Sequence, residues 1–177
     1  MNAIATQAEA ATEQIRFGFA EFSLGAVLVA ATDKGIAAIL MGDDRAALRR
    51  ELAAAFPQSR LEADPAGLQG AIARVVAVLE NPGARHDLPL DIRGTAVERA
   101  VWQALRDVPA GKTIAYSQIA KALPLPASAQ DVGAACAANL LAVAIPCHRV
   151  VKADGSISGY RWGVRRKMAL LGREAAA

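Results

Sequence analysis

The chain has 177 residues, enough for one ordinary domain or two small ones in contact, and 54% of them are hydrophobic, which excludes a wholly disordered protein. No apolar run approaches the length of about 18 residues that a membrane span needs, and two cysteines, Cys136 and Cys147, suit a reducing cytoplasm better than a disulfide scaffold. The net charge of +3 is uneven: residues 1–94 carry nine Lys/Arg against twelve Asp/Glu, residues 95–146 four against three, and residues 147–177 seven against two. A positive field after Cys147 fits an anionic partner such as nucleic acid, and equally a solvated basic helix.

In chain order, residues 1–14 (MNAIATQAEAATEQ) lack a basic n-region and a long apolar h-region, which predicts a flexible start rather than a secretory signal. IRFGFAEF, GAVLVAA and GIAAILM then read as strands over residues 15–41, with Asp33-Lys34-Gly35 as the turn between the last two. Asp43 and Asp44 open a helical stretch that Pro57 closes, their charges at the positive end of the helix dipole. A second helix is expected from Pro65 to Asn81, stopping before Pro82. HDLPLDIRG follows as a short extended piece. None of this carries a concentrated chemical motif.

From Thr95 the pattern changes to short helices. Thr95 and Glu98 fit a capping box, ahead of an apolar face of Val97, Val101, Ala104, Leu105 and Val108. Pro109-Ala-Gly111 makes a turn, Ser117 is the expected cap of SQIAKAL, and Pro124 and Pro126 break that helix. Ser128 is the expected cap of SAQDVGAACAAN, whose small residues let its backbone approach another surface. Two helices around a short break are compatible with a helix-turn-helix. The organisation expected is therefore a start at 1–14, an N-terminal domain at 15–93 and a second domain at 94–177.

The chemistry concentrates in 144-AIPCHRVV-151. Pro146 stiffens the chain beside a thiol, and the thiolate form of Cys147 would be a nucleophile if a base removed its proton. His148 is adjacent, but neighbouring residues of an extended chain point opposite ways. It therefore needs a turn or a bridging water to serve. Cys136 reads as a buried core thiol. His86 and His148 are too scattered from the cysteines to suggest a metal site.

The segments VWQAL, KTIAYSQIAKAL and CAANLLAVAIPCHRVVKADGSISGYRWGVRRKMALLGRE resemble the O6-methylguanine-DNA methyltransferase family, strongly over about residues 95–174 and vaguely before them. The resemblance implies an α/β (α+β) chain. A small ribonuclease H-like antiparallel sheet with helices would precede a helical, winged-helix-like DNA-binding domain that carries the active-site Cys. It implies Cys147 as the alkyl acceptor, His148 as its water-linked base and Glu174 as the carboxylate orienting that His. Asn139 would brace the turn before the active-site segment, and Tyr116 would support a flipped guanine and pass it a proton. Ser158, Gly159, Tyr160, Arg161 and Trp162 would form a loop over the lesion base. The backbone near Cys147 and Val150 would read the guanine edge, with Ser128 and Arg149 among the DNA contacts.

The implied reaction is a single-turnover transfer of the methyl group of O6-methylguanine, with O4-methylthymine as a further substrate, from double-stranded DNA to Cys147. It implies no cofactor and no metal, and a cytoplasmic monomer. Two departures stand out. Gln130 occupies the position of the family's Arg finger, followed by Asp131, whose charge should repel phosphate. Val97 replaces an aromatic residue. Trp162 is expected to narrow the pocket. The Gln130 departure motivates an alternative, a damage-binding or regulatory protein with weak transfer. A thiol hydrolase is a third reading, for which no oxyanion hole is identifiable.

Overall fold

A computed structural model of the chain describes residues 12–176. The expected flexible start lies largely outside the described residues; the first strand, β1, begins at Gln14. β1 (Gln14–Phe22), β2 (Gly25–Thr32) and β3 (Gly35–Gly42) form an antiparallel meander in the places the apolar runs predict. Gly25 and Gly35 start β2 and β3 at φ 125° and 146°, a region open to glycine. A Cβ at Gly25 would come within 2.6 Å of the Gly42 carbonyl oxygen, and one at Gly35 within 2.7 Å of that of Pro89.

β2 is buried from Ala26 to Thr32, so both faces of the sheet centre are covered. α1 (Arg45–Ala55) covers one face through Leu48 and Leu52, and α2 (Gln69–Glu80) the opposite face through Ile72, Val75, Val78 and Leu79. Each such leucine contributes about 1.5–3 kcal/mol by leaving water. Asp44 caps α1 by accepting from the Ala46 amide at 3.0 Å. α2 starts at Gln69 rather than Pro65, because the Asp64 carboxylate accepts from the Gly67 amide and holds 65–68 as a turn. A strand that the sequence pattern does not suggest, β4 (Arg60–Ala63), pairs in parallel with β1, so the sheet is mixed, in the order β3-β2-β1-β4. With one half-buried residue in four, β4 lacks an alternating signal.

The outer edge of β3 does not face solvent. Ile36 bridges Leu90 and Ile39 bridges Leu141, both in parallel. The Ile39 amide donates to the Leu140 carbonyl at 2.7 Å, and the Ala142 amide to the Ile39 carbonyl at 3.1 Å. The segment leading to Cys147 is thereby stitched onto the N-terminal sheet.

The second half is helical: α3 (Ala96–Arg106), α4 (Tyr116–Ala122), α5 (Ala129–Ala138) and α6 (Val164–Ala175), with a short parallel pair, β5 (Ile114–Ala115) and β6 (Val150–Val151). The Thr95–Glu98 capping box is present. The buried Trp102 indole donates to the Ala135 carbonyl at 2.9 Å and pins α3 to α5. Ser117 is not the cap of α4 but its second residue; the Gln118 side chain instead accepts from the Ala115 amide at 2.9 Å. Among the described residues no helix is long and apolar enough to cross a membrane.

Candidate active site

Cys147 opens a single 3-10 turn, Cys147–Arg149, directly after Pro146. The chain therefore bends at this pair, as the sequence reading requires, and the His148 ring is bonded to Glu174. The approach is strained: Val143, a β-branched residue, sits at φ 66°. Asn139, fully buried at the end of α5, holds the bend. Its Oδ1 accepts from the Leu141 amide at 2.8 Å, and its Nδ2 donates to the Ile145 carbonyl at 3.1 Å and to Cys147 Sγ at 3.3 Å. One amide thus braces the turn and favours negative charge on the sulfur. Burial pushes the Cys147 thiol well above its ordinary value; the nearby Cys136 sulfur adds to this, while Asn139 and the Lys167 charge oppose it.

His148 is fully buried, and its Nε2 lies 2.7 Å from Glu174 Oε1. Its Nδ1 is buried with no hydrogen-bond partner in the protein. Burial lowers the His148 pKa, and Glu174 partly offsets that. Burial alone would raise the Glu174 carboxyl, but hydrogen bonds from His148 and Arg149 outweigh it and bring the group to about 2.

Arg149 departs from its expected role as a DNA contact. It donates to both Glu174 oxygens at 2.7–3.1 Å, to the Val108 carbonyl at 2.7 Å and to the Pro82 carbonyl at 3.3 Å. It is 8% exposed and faces inward because a buried carboxylate needs a buried cation. Its work is to hold Glu174 ionised.

A cavity of about 350 Å³ adjoins the sulfur, lined by Tyr116, Gly133, Cys136, Ala137, Cys147, Gly159, Tyr160 and Arg161. The Tyr116 hydroxyl lies 2.5 Å from Ser158 Oγ. Burial raises the Tyr116 pKa and the Ser158 hydrogen bond pulls it down, so the phenol keeps its proton. Behind Ser158 is a residue that sequence reasoning missed. Lys167 is fully buried, and its Nζ donates to the Val150 carbonyl at 2.6 Å, Ser158 Oγ at 3.0 Å and the Gly159 carbonyl at 3.3 Å. Three oxygens for three protons is the pattern of an ammonium group. The signal was present in sequence: Lys167, Leu170 and Glu174 fall on one face of α6 at helical spacing, and all three are buried.

Other expectations change. The Val150 amide donates to the Cys147 carbonyl and is thereby engaged, while its own carbonyl accepts from Lys167 and keeps a second lone pair. Trp162 does not narrow this cavity; it is buried behind Tyr160 in an edge-on contact, ring centroids 5.4 Å apart. Cys136 is no core thiol: it is half-buried and lines the cavity beside Cys147. Tyr160 also lines the cavity, and its buried hydroxyl has no hydrogen-bond partner in the protein.

α4 and α5 form the helix pair, with Gln130 exposed in the first turn of α5. Ser128 caps α5, its Oγ accepting from the Asp131 amide at 3.1 Å, while Asp131 accepts from the Ser128 amide and hydroxyl. Ser128, expected to contact DNA, and Asp131, expected to repel phosphate, are thus committed to each other in the cap. Much of the basic tail also turns onto the N-terminal half. Arg161 pairs with Glu51 and donates to the Ala137 carbonyl, Arg166 pairs with Asp43 and the Leu24 carbonyl, and Arg173 reaches the Leu79 carbonyl and Ser23.

A buried His148–Glu174 pair thus follows directly on Cys147, and Cys147 lines a cavity shared with residues of the α4–α5 helix pair. Residues 15–92 match the ribonuclease-like domain of 6-O-methylguanine DNA methyltransferase, and residues 96–176 its DNA-binding domain. The chain is 50% identical over 163 residues to the bifunctional transcriptional activator/DNA repair enzyme Ada of Escherichia coli, covering 91% of this chain and 46% of that protein. It is 38% identical over 122 residues to the inducible methylated-DNA--protein-cysteine methyltransferase of Bacillus subtilis, covering 69% of this chain and 68% of that one. The crystal structure of O6-methylguanine methyltransferase from Mycobacterium tuberculosis superposes with a TM-score of 0.74 at 28% identity, over 92% of this chain and 93% of that one. The chain belongs to the O6-methylguanine-DNA methyltransferase family. It spans about half the length of the Ada proteins that it matches.

Proposed function

We propose that this chain repairs O6-methylguanine in double-stranded DNA by taking the methyl group onto Cys147, once per molecule. The observation that carries the reading is the junction of relay and cavity: Cys147 lines a base-sized cleft while His148 and Glu174 stand behind it. The names and activities of its relatives support it, as does the structure of the M. tuberculosis protein in complex with DNA, at 29% identity and a TM-score of 0.74.

In the resting protein burial keeps the thiol protonated, which protects it from stray electrophiles. When the lesion base enters, the Cys147 proton passes through a water to His148 Nδ1, and Glu174 stabilises the imidazolium formed. The sulfur attacks the methyl carbon in line; the S–C bond forms as the C–O6 bond breaks, and the electron pair withdraws into guanine. Tyr116 gives that leaving group its proton, a role worth about 10²–10⁴ in rate. Lys167 steadies Ser158, whose hydroxyl supports the oxygen of Tyr116 as its charge develops. A thioether has no easy hydrolytic exit, so the protein is used up.

The target base must first leave the stack, which costs a few kcal/mol. Gln130 enters the gap with an amide instead of a guanidinium, so it fills space without adding positive charge. Incubation with a duplex holding one O6-methylguanine tests the reading. Transfer that saturates at one methyl per chain supports it; an unchanged protein mass, or repair beyond one lesion per chain, contradicts it.

A further inference from the structure

Cys136 has no part in the transfer mechanism, yet it lines the same cavity as the acceptor, near enough for each thiol to bear on the other's titration. We propose that Cys136 is the peroxide-reactive partner of Cys147: under a peroxide the two form a reversible disulfide that takes the acceptor out of service and shields it from irreversible oxidation.

Placement supports the pair. Cys136 sits one turn before Asn139 on α5, and Asn139 donates to Cys147 Sγ, so helix and acceptor loop are held together at this point. Gly133 and Ala137, also lining the cavity, leave the space beside Cys136 open. Cys136 is half-buried and Cys147 only 4% exposed, so a small oxidant meets Cys136 first. The chain has no third cysteine to compete. A hydrogen bond from Cys147, with help from the Lys167 charge, lowers the Cys136 thiol against the burial that raises it.

The chemistry balances in two steps. The Cys136 thiolate attacks a peroxide oxygen; the O–O bond breaks, the sulfur is oxidised to a sulfenic acid, and the peroxide is reduced to water or an alcohol. The Cys147 sulfur then attacks the sulfenic sulfur, the S–O bond breaks, and hydroxide leaves as water with the Cys147 proton. A dithiol reductant reverses the bond by exchange. Disulfides of this transient kind are the ones that occur in reducing compartments.

Intact-mass spectrometry of the full chain after a few equivalents of hydrogen peroxide tests this. The expected product has lost two hydrogens, and the change maps to the tryptic peptide of residues 122–149, which holds both cysteines. Dithiothreitol restores the original mass. Cys136→Ser and Cys147→Ser should each give no such product; Cys136→Ser should instead gain oxygen on Cys147 that dithiothreitol does not fully remove. Equal gain of oxygen at Cys147 with and without Cys136, or a disulfide only between two chains, overturns the proposal. The loss of methyl transfer on oxidation rests on the reading of Cys147 as the acceptor. It is scored as the ratio of transfer before and after reductant within each variant. Wild type should recover and Cys136→Ser should not. A reduced wild type that forms the disulfide but never transfers would reject the methyltransferase reading alone.

Discussion

The two halves of the molecule bury different things. Residues 15–92 bury apolar side chains, with Thr32 and Asp91 as the polar residues in that interior. Residues 96–176 bury Asn139, His148, Arg149, Lys167 and Glu174. Burying charge costs several kcal/mol per ion unless partners repay it, and a hydrophobic replacement often stabilises. The first half is therefore built for stability, and the second gives some up to keep a network of buried polar and charged groups beside Cys147. The first half is not idle, because its sheet edge holds the segment before Cys147 and its acids hold Arg161 and Arg166.

Removing Glu174 breaks this contrast hardest. Glu174→Ala leaves a buried arginine unpaired and His148 without its acid. The expected cost is about 3–5 kcal/mol in urea unfolding, together with loss of transfer. A loss under about 1 kcal/mol would mean that the interior is wetter than described. Tyr116→Phe separates chemistry from stability. Transfer should slow by about 10²-fold while stability falls by only about 1 kcal/mol. A rate within twofold of wild type would remove Tyr116 as the acid.

Acid unfolding follows in size. The Glu174 pKa drops from 4.5 to about 2 on folding, so its contribution is full above pH 4.5 and is lost as pH falls toward 2. His148, also depressed, works in the same direction below its ordinary value of 6.5. Glu174→Gln should flatten the fall in stability below pH 4.5 relative to wild type; an unchanged slope would place the titration elsewhere. The smallest effect expected is that of Glu51→Ala. Its pair with Arg161 is partly exposed, so stability should change by at most about 1 kcal/mol. Transfer should slow measurably, since Arg161 lines the cavity. A larger stability loss with no change in transfer would make the contact a strut instead.

The contrast also explains what the sequence revealed. Apolar runs located β2 and β3 because a sheet covered on both faces reads as continuous hydrophobicity, while β1 was marked by partial alternation. β4 was silent because it is an exposed edge. Cys147, His148, Glu174, Tyr116 and Asn139 were legible through the family resemblance, and the structure brings them together around one bend and one cavity. The destinations of the cations were not legible. Composition gives a basic tail, but whether Arg149 faces a phosphate or Glu174 depends on tertiary placement, as does the turn of Arg161 toward Glu51. Lys167 differs: it was counted with the surface charges although its helical spacing with Leu170 and Glu174 already set it on the buried stripe of α6.

The most direct test is to locate the methyl group. After reaction with duplex carrying isotopically labelled O6-methylguanine, peptide mapping should find the label on Cys147 alone, and Cys147→Ser should carry none. Label on Cys136 or elsewhere, or none on the wild-type chain, would contradict the account.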